Sequence, residues 1–452
     1  MWSNDANAQS VGALPARKSL GPIFLILATN LAVILFWYTQ AALDGSFASL
    51  FGEVSSNGLL GTLSTAVYGN GGAYGGMLPT DKTYKTLIYF SLFELALMKL
   101  PGRTFTGPVT PNGNVPKYVD NGFTAYVITL ITYCAGVHLN YWEGSILIAQ
   151  WGQILFTVNC FALVFCVFLM LKGLYFPSSS DSGTTGSIIT DFYWGTELYP
   201  RILDWDIKVF TNCRFGLILW ALLPISVMYS QIEKNGHASN EIMVSTFLQL
   251  VYLNKFYWWE SGYMSTVDIM HDRAGYYLCW GCLTWVPTLY TSQVQYIYFR
   301  GAAELTLSNE RALLYAVCGA LCILINYDAD NQRAKFREYN GECFIFGSKA
   351  VAIKAKYTPK NGKERSSLLL ASGYWGLSRH FHYLPEVLAS VFWSLPAAGV
   401  SGHFMPHFYY SFLIILLIDR AFRDEARCGA KYGRYYDEYQ RLVPYKIIPG
   451  IL

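Results

Sequence analysis

Apolar residues gather along this chain in stretches of about 20, the length a helix needs to cross the roughly 30 Å hydrocarbon core of a bilayer. They fall at residues 21–39, 84–100, 123–142, 146–171, 215–231, 241–258, 275–299, 310–327, 384–401 and 404–419. The pattern predicts ten membrane-spanning helices. The first twenty residues are polar, with Arg17 and Lys18 just ahead of the first apolar stretch. No small-residue cleavage site follows a short apolar core, so a removable signal peptide is not expected. An even number of spans places both termini on one side. Residues 328–383 carry ten Lys/Arg against five Asp/Glu, and residues 420–452 carry seven against four. Basic loops stay in the cytoplasm, so both segments and the N-terminus are expected there.

Two segments interrupt the hydropathy pattern. Residues 176–214 hold a Ser/Gly loop followed by an aromatic, charged stretch, which reads as a cytoplasmic cap on the membrane core. Residues 328–383 contain CFIFG and KAVAIKAKYTP, short alternating runs that predict a small strand element joined by a KNGKE turn. The expected organisation is a polar tail over 1–20, a transmembrane core with spans one to eight over 21–327, and a cofactor-binding half over 328–452 with spans nine and ten. The fold class is an all-α polytopic membrane protein with a C-terminal cofactor pocket facing the cytoplasm.

Composition sharpens this reading. Hydrophobic residues make up 53% of the 452, aromatics 17% and charged residues 14%, against about 25% charged in a soluble domain. Disordered, collagen-like and nucleic-acid-binding classes are excluded. A net charge of +3 is too small to imply a polyanionic partner, and ten cysteines fall short of a disulfide scaffold.

The strongest chemical signal lies in the last 33 residues. Arg420, Asp424, Cys428, Lys431 and Tyr432 follow helical spacing and share one face where the last span leaves the hydrocarbon. That face suits a pocket wall; the plainer reading is a basic patch on anionic lipid. Arg333 and Arg337, spaced i, i+4 past the eighth span, are snorkelling anchors or a phosphate clamp. Residues 372–386 pack Tyr374, Trp375, Phe381 and Tyr383 around Arg379, His380 and His382. Aromatic faces beside cations suit a nucleotide's rings and phosphates, and also a membrane aromatic belt. Tyr252, Glu260, Asp268, His271 and Asp272 lie in or beside apolar runs, each needing a partner or a role. Structural hydrogen bonding is the plainer reading for each. The pairs Cys279/Cys282 and Cys318/Cys322 lack a second pair at zinc spacing, so no metal site is expected. The glycine run at 69–76 lacks a preceding strand and reads as a loop.

The chain resembles the membrane sterol reductase family, and within it the delta-7 branch. The resemblance rests on TPNGNVPKYVDNG at 110–122, GTELYPRI at 195–202, TVDIMHDRAGYYLCWG at 266–281, SGYWGLSRHFHY at 372–383 and RDEARCGAKYGRYYDEYQRLVPYKIIPGI at 423–451. It implies a ten-span enzyme of the endoplasmic reticulum membrane that uses NADPH to saturate the C7–C8 double bond of a delta-5,7 sterol entering from the bilayer. By motif, the implied cofactor contacts are Arg333, Arg337, Leu370, Trp375, His382, Tyr383, Asp424, Cys428, Gly429, Ala430, Lys431, Tyr432 and Tyr439, with Arg420 in support. Asp424 and Tyr252 match the catalytic positions. His382 stands where many relatives have asparagine, Arg333 where lysine is usual and Cys282 where aspartate is common. Rival readings are a delta-14 or side-chain sterol reductase, a membrane methyltransferase of the isoprenylcysteine type, and a sterol-binding scaffold or transporter.

Overall fold

The computed structural model describes residues 15–69, 75–110, 112–301, 304–358, 364–399 and 403–452. Most of the glycine run at 69–76 and of the KNGKE turn lies outside the described residues. The chain divides into two compact units, residues 1–306 with 397–406, and residues 307–396 with 407–452.

The first unit is a helical assembly. Its helices Pro15–Ala42, Asp81–Leu97, Gly122–His138, Trp151–Tyr175, Ile207–Asn235 and Asn240–Trp258 follow the apolar stretches. One further helix, Phe47–Tyr68, falls where hydropathy predicts none. Its glycines and serines dilute the apolar signal, and it kinks at Gly58, whose φ of 68° leaves the helical region. Two π-helical segments, Phe210–Gly216 and Tyr276–Trp285, pack against each other. Gly216 makes this approach possible, because a Cβ there would stand 2.2 Å from the Cys282 carbonyl oxygen.

A first hairpin pairs β1, Arg103–Thr106, with β2, Lys117–Asp120. The stretch expected to form a cap, 176–214, contains a short helix at Ile188–Trp194 and a hairpin of β3, Arg201–Ile202, with β4, Trp205–Asp206. From Ile207 onward it is already helical and buried. Its buried cations, Lys208 and Arg214, find partners in the core. Lys208 Nζ donates to the Ile269 and Asp272 carbonyls, each at 2.7 Å. Arg214 pairs with buried Glu260 and donates at 3.0 Å to Asn121 Oδ1. Buried charges need such partners to be tolerated at all.

The second unit begins with the 30-residue helix Asn309–Glu338, whose buried positions Gly319, Ile323, Asn326, Ala329, Gln332 and Phe336 trace one stripe. Strands β5, Phe344–Ile345, and β6, Ser348–Lys349, form a tight hairpin. Strands β7, Ala352–Tyr357, and β8, Arg365–Leu370, pair antiparallel from Ala352 opposite Leu370 to Tyr357 opposite Arg365. Along β7, Ile353 and Ala355 are buried while Lys354 and Lys356 are exposed, the alternation expected from the sequence. Helices Tyr383–Ala398, Phe408–Tyr432 and Arg434–Leu442 complete the unit. Tyr409, Leu413, Leu417 and Ala421 bury one face of the second of these, at i, i+4 spacing. Among the described residues, four helices are long and apolar enough to cross a membrane: Leu20–Ala42, Trp151–Tyr175, Ile207–Asn235 and Asn309–Glu338. The protein is mostly helical and is a membrane protein.

Candidate functional site

The apolar stripe of the Asn309–Glu338 helix turns one edge of its last two turns toward residues 373–383. Trp375 is buried there, with its indole N–H donating to the Ala329 carbonyl at 2.7 Å. The Arg333 guanidinium lies 4.2 Å above the indole centroid, a cation held over an aromatic face. Gly373 takes φ 63°, and a Cβ there would meet Gln332 Oε1 at 2.3 Å. The Tyr374 N–H donates to that same oxygen at 3.2 Å. The rings of His382 and Trp375 lie 4.8 Å apart, and those of His382 and Tyr383 4.3 Å apart. Asn326 donates at 2.8 Å to the His382 carbonyl. Tyr439 reaches the Trp375 carbonyl through its hydroxyl at 3.5 Å, and Leu370 joins Trp375 and Phe336 in one buried cluster.

The Phe408–Tyr432 helix adds the second wall. Asp424 pairs with Arg427 one turn on, and the Cys428 thiol donates to Asp424 Oδ2 at 3.8 Å. Burial and the neighbouring carboxylate push that thiol up to about 12. Lys431 stands 4.4 Å over the Tyr357 ring and 4.9 Å over Tyr432, whose ring meets Tyr357 edge-on at 5.6 Å. Gly429 is half-buried and Ala430 exposed. Charge interactions tie the walls together. Tyr383 feels Arg420, Asp424, Arg333 and Asp330, while Arg337 feels Arg333, Tyr432 and Cys428. The predicted residues of the C-terminal half therefore converge on one region.

Some roles differ from expectation. Asp424 takes Arg427 as its partner, a residue three positions on that its spacing could have revealed. Arg379 is a brace: its guanidinium donates to Glu425 at 2.6 Å, to the Val443 carbonyl at 2.6 Å and to the Pro444 carbonyl at 2.9 Å. Lys446 also pairs with Glu425, at 3.1 Å. His380 is buried and stacks on Tyr383 with ring centroids 5.3 Å apart, and its Nε2 has no hydrogen-bond partner among the described residues. Burial pulls its imidazole down to about 4, against the opposing fields of Asp424 and Glu425. Asp330, Gln332 and Tyr357 support the site without having stood out in the sequence.

Tyr252 belongs to the first unit. Its ring lies 5.5 Å from that of Trp220, whose indole N–H donates to Gln249 Oε1 at 2.7 Å, and the Lys255 ammonium stands 5.5 Å from its centroid. Glu260 is engaged structurally by Arg214. An open surface hollow along the Arg434–Leu442 helix is lined by Arg434, Tyr435, Asp437, Glu438 and Arg441, none of them a predicted contact.

A phosphorylated dinucleotide needs fixed cations beside flat faces. Arg333, Arg337, Arg420 and Lys431 supply the first, Trp375, Tyr383 and Tyr432 the second, and the unpartnered His380 nitrogen leaves a buried polar atom to satisfy. The donor set fits such a group.

The chain belongs to the ergosterol biosynthesis ERG4/ERG24 family, whose model matches residues 25–452. It is a sterol reductase by family. Among its relatives, a 7-dehydrocholesterol reductase of Arabidopsis thaliana is 46% identical over 93% of this chain and 94% of its own length. The Xenopus laevis 7-dehydrocholesterol reductase is 34% identical over 82% of this chain and 78% of the relative. A delta(14)-sterol reductase of Methylotuvimicrobium alcaliphilum is 33% identical over 78% of each.

Proposed function

We propose that this enzyme reduces the C7–C8 double bond of a delta-5,7 sterol, of the 7-dehydrocholesterol type, with NADPH as reductant. The observation that carries the cofactor reading is the stack of Arg333 on the braced Trp375 ring, beside a helix face bearing Asp424, Cys428, Lys431 and Tyr432. The 46% identity to a named 7-dehydrocholesterol reductase favours C7–C8 over C14. In this reading the chain crosses the endoplasmic reticulum membrane ten times, with both termini and the cofactor site cytoplasmic, and the sterol enters from the lipid.

A hydrocarbon diene without an electron-withdrawing group does not accept hydride, so protonation must come first. A proton added at C8 leaves an allylic cation at C7, which hydride then closes. NADPH, when bound, supplies that hydride. Arg333, Arg337, Arg420 and Lys431 bind its phosphates, and Trp375 and Tyr383 hold its rings. Asp424 positions the cofactor or relays a proton. The Tyr252 phenol or an ordered water faces the sterol and delivers the proton as general acid. Exclusion of water keeps the cation from being trapped.

Membranes bearing the enzyme, given NADPH with 7-dehydrocholesterol or a 14-unsaturated sterol, are expected to reduce only the former by mass spectrometry of the sterols. Exclusive reduction of the 14-unsaturated sterol overturns the bond assignment. Asp424→Ala is expected to abolish turnover in a folded protein, and near-normal activity refutes its role. Tyr252→Phe is expected to slow turnover at least about 100-fold, the usual worth of a general acid, with sterol binding kept. An unchanged rate assigns the donor elsewhere.

A further inference from the structure

The β5–β6 hairpin carries a side chain that local folding rules disfavour. Its loop is the two-residue pair Phe346–Gly347, with φ of 50° and 78°, between the paired residues Ile345 and Ser348. A two-residue turn with both central φ values positive prefers Asn-Gly or Asp-Gly, because a Cβ is strained in the left-handed region. Phenylalanine there gains little from the fold in return: Phe346 is 68% exposed, and its described ring contact is the edge of Tyr374 at 5.1 Å. Phe344, outward-facing across buried Ile345, is 77% exposed. Lys349 is exposed beside them and pairs with Glu342 at 2.9 Å.

The height of this hairpin follows from the Asn309–Glu338 helix. Residues 312–327 carry no charge, and Asp328 is the first charged residue beyond them. Gln332, which accepts from the Tyr374 N–H, lies four residues further, or about 6 Å along the axis at 1.5 Å per residue. The headgroup layer is about 5–7 Å deep on each side of the hydrocarbon. Along a helix normal to the bilayer, this height puts Tyr374 and the Phe346 ring against it within that layer. Aromatic rings flanked by lysine are the side chains that settle there.

We propose that the 344–349 hairpin is a membrane foot, with Phe344 and Phe346 lodged among phospholipid headgroups beside the helix. The foot meets the membrane beside Tyr374, against which the Phe346 ring rests. The inference does not depend on which sterol bond is reduced.

The test uses the full chain in phospholipid nanodiscs, with an environment-sensitive fluorescent amino acid replacing Phe346, Phe344 or, as a reference, Tyr339. Tyr339 is exposed and lies seven residues beyond Gln332, about 10 Å further from the hydrocarbon. Nitroxide on the lipid headgroup is expected to quench the label at 346 or 344 at least threefold more than at 339. Equal quenching at the three positions overturns the proposal, and the strand position 344 serves if the turn variant does not fold. Phe346→Asn, a better turn former, is expected to leave the KM for NADPH unchanged. A several-fold rise in that KM, with no excess quenching at 346 and 344, assigns the rings to the cofactor instead and also overturns the proposal.

Discussion

The brace around Arg379 makes a quantitative prediction. Arg379→Ala removes one partner of a buried ion pair and strands the Val443 and Pro444 carbonyls that its guanidinium satisfies. Removing one member of a buried pair costs about 3–5 kcal/mol. Lys446 remains 3.1 Å from Glu425, so the carboxylate keeps a partner and the cost falls to the lower end, about 3 kcal/mol. The loss is local. The brace fastens residues 378–380 to 445–447, where the Arg379 N–H donates to the Tyr445 carbonyl at 3.0 Å, the His380 N–H to the Lys446 carbonyl at 2.8 Å and the Ser378 hydroxyl to the Ile447 carbonyl at 2.7 Å. With every 1.4 kcal/mol worth a factor of ten, amide exchange at 379 and 380 is expected to quicken about 100-fold. Hydrogen-exchange mass spectrometry of the detergent-solubilised protein measures it. Glu425→Gln, which keeps a hydrogen-bonding oxygen, is expected to fall between wild type and Arg379→Ala. Exchange within a factor of three of wild type in Arg379→Ala refutes the reasoning, because it would mean the buried guanidinium holds nothing in place.

Two further outcomes are expected from the perturbed groups. His380 titrates in the folded protein near 4 rather than 6.5, so the unfolded chain binds its proton first as pH falls. Its contribution to stability is complete above about pH 6.5 and lost as pH drops toward 4; His380→Gln is expected to flatten that part of a melting-temperature profile, and an unaltered slope refutes the assignment. The Cys428 thiol, raised to about 12, is expected to resist alkylation at pH 8, and Asp424→Asn to speed it by removing a neighbouring negative charge; rapid alkylation of the wild-type thiol by mass spectrometry contradicts this.

Legibility in the sequence divides along physical lines. The shared face of Arg420, Asp424, Cys428 and Tyr432 was readable because helical periodicity alone places i, i+4, i+8 and i+12 together, and the half-buried state of these four residues agrees with it. The strands of the second unit were readable from alternation. The helix Phe47–Tyr68 was not, since glycine and serine lower hydropathy without preventing a helix. The inward course of residues 207–214 was hidden for a related reason: Lys208 and Arg214 look like surface charges until Ile269, Asp272 and Glu260, distant in sequence, are brought to them. Arg379 sat in the right segment, but its partners Val443 and Pro444 are backbone carbonyls, which carry no side-chain signature.

The wide turn at Phe210–Gly216 has a consequence for how this chain tolerates change. A π-helical turn accommodates roughly one more residue than an α-helical one, so the parts on either side keep the angular relation of an α-helix one residue shorter. Closing the turn to α-helical geometry without shortening the chain would swing Lys208 about 100° away from the carbonyls of Ile269 and Asp272. Length and turn type are thus coupled in this segment: a chain one residue shorter keeps its buried faces only by giving up the wide turn.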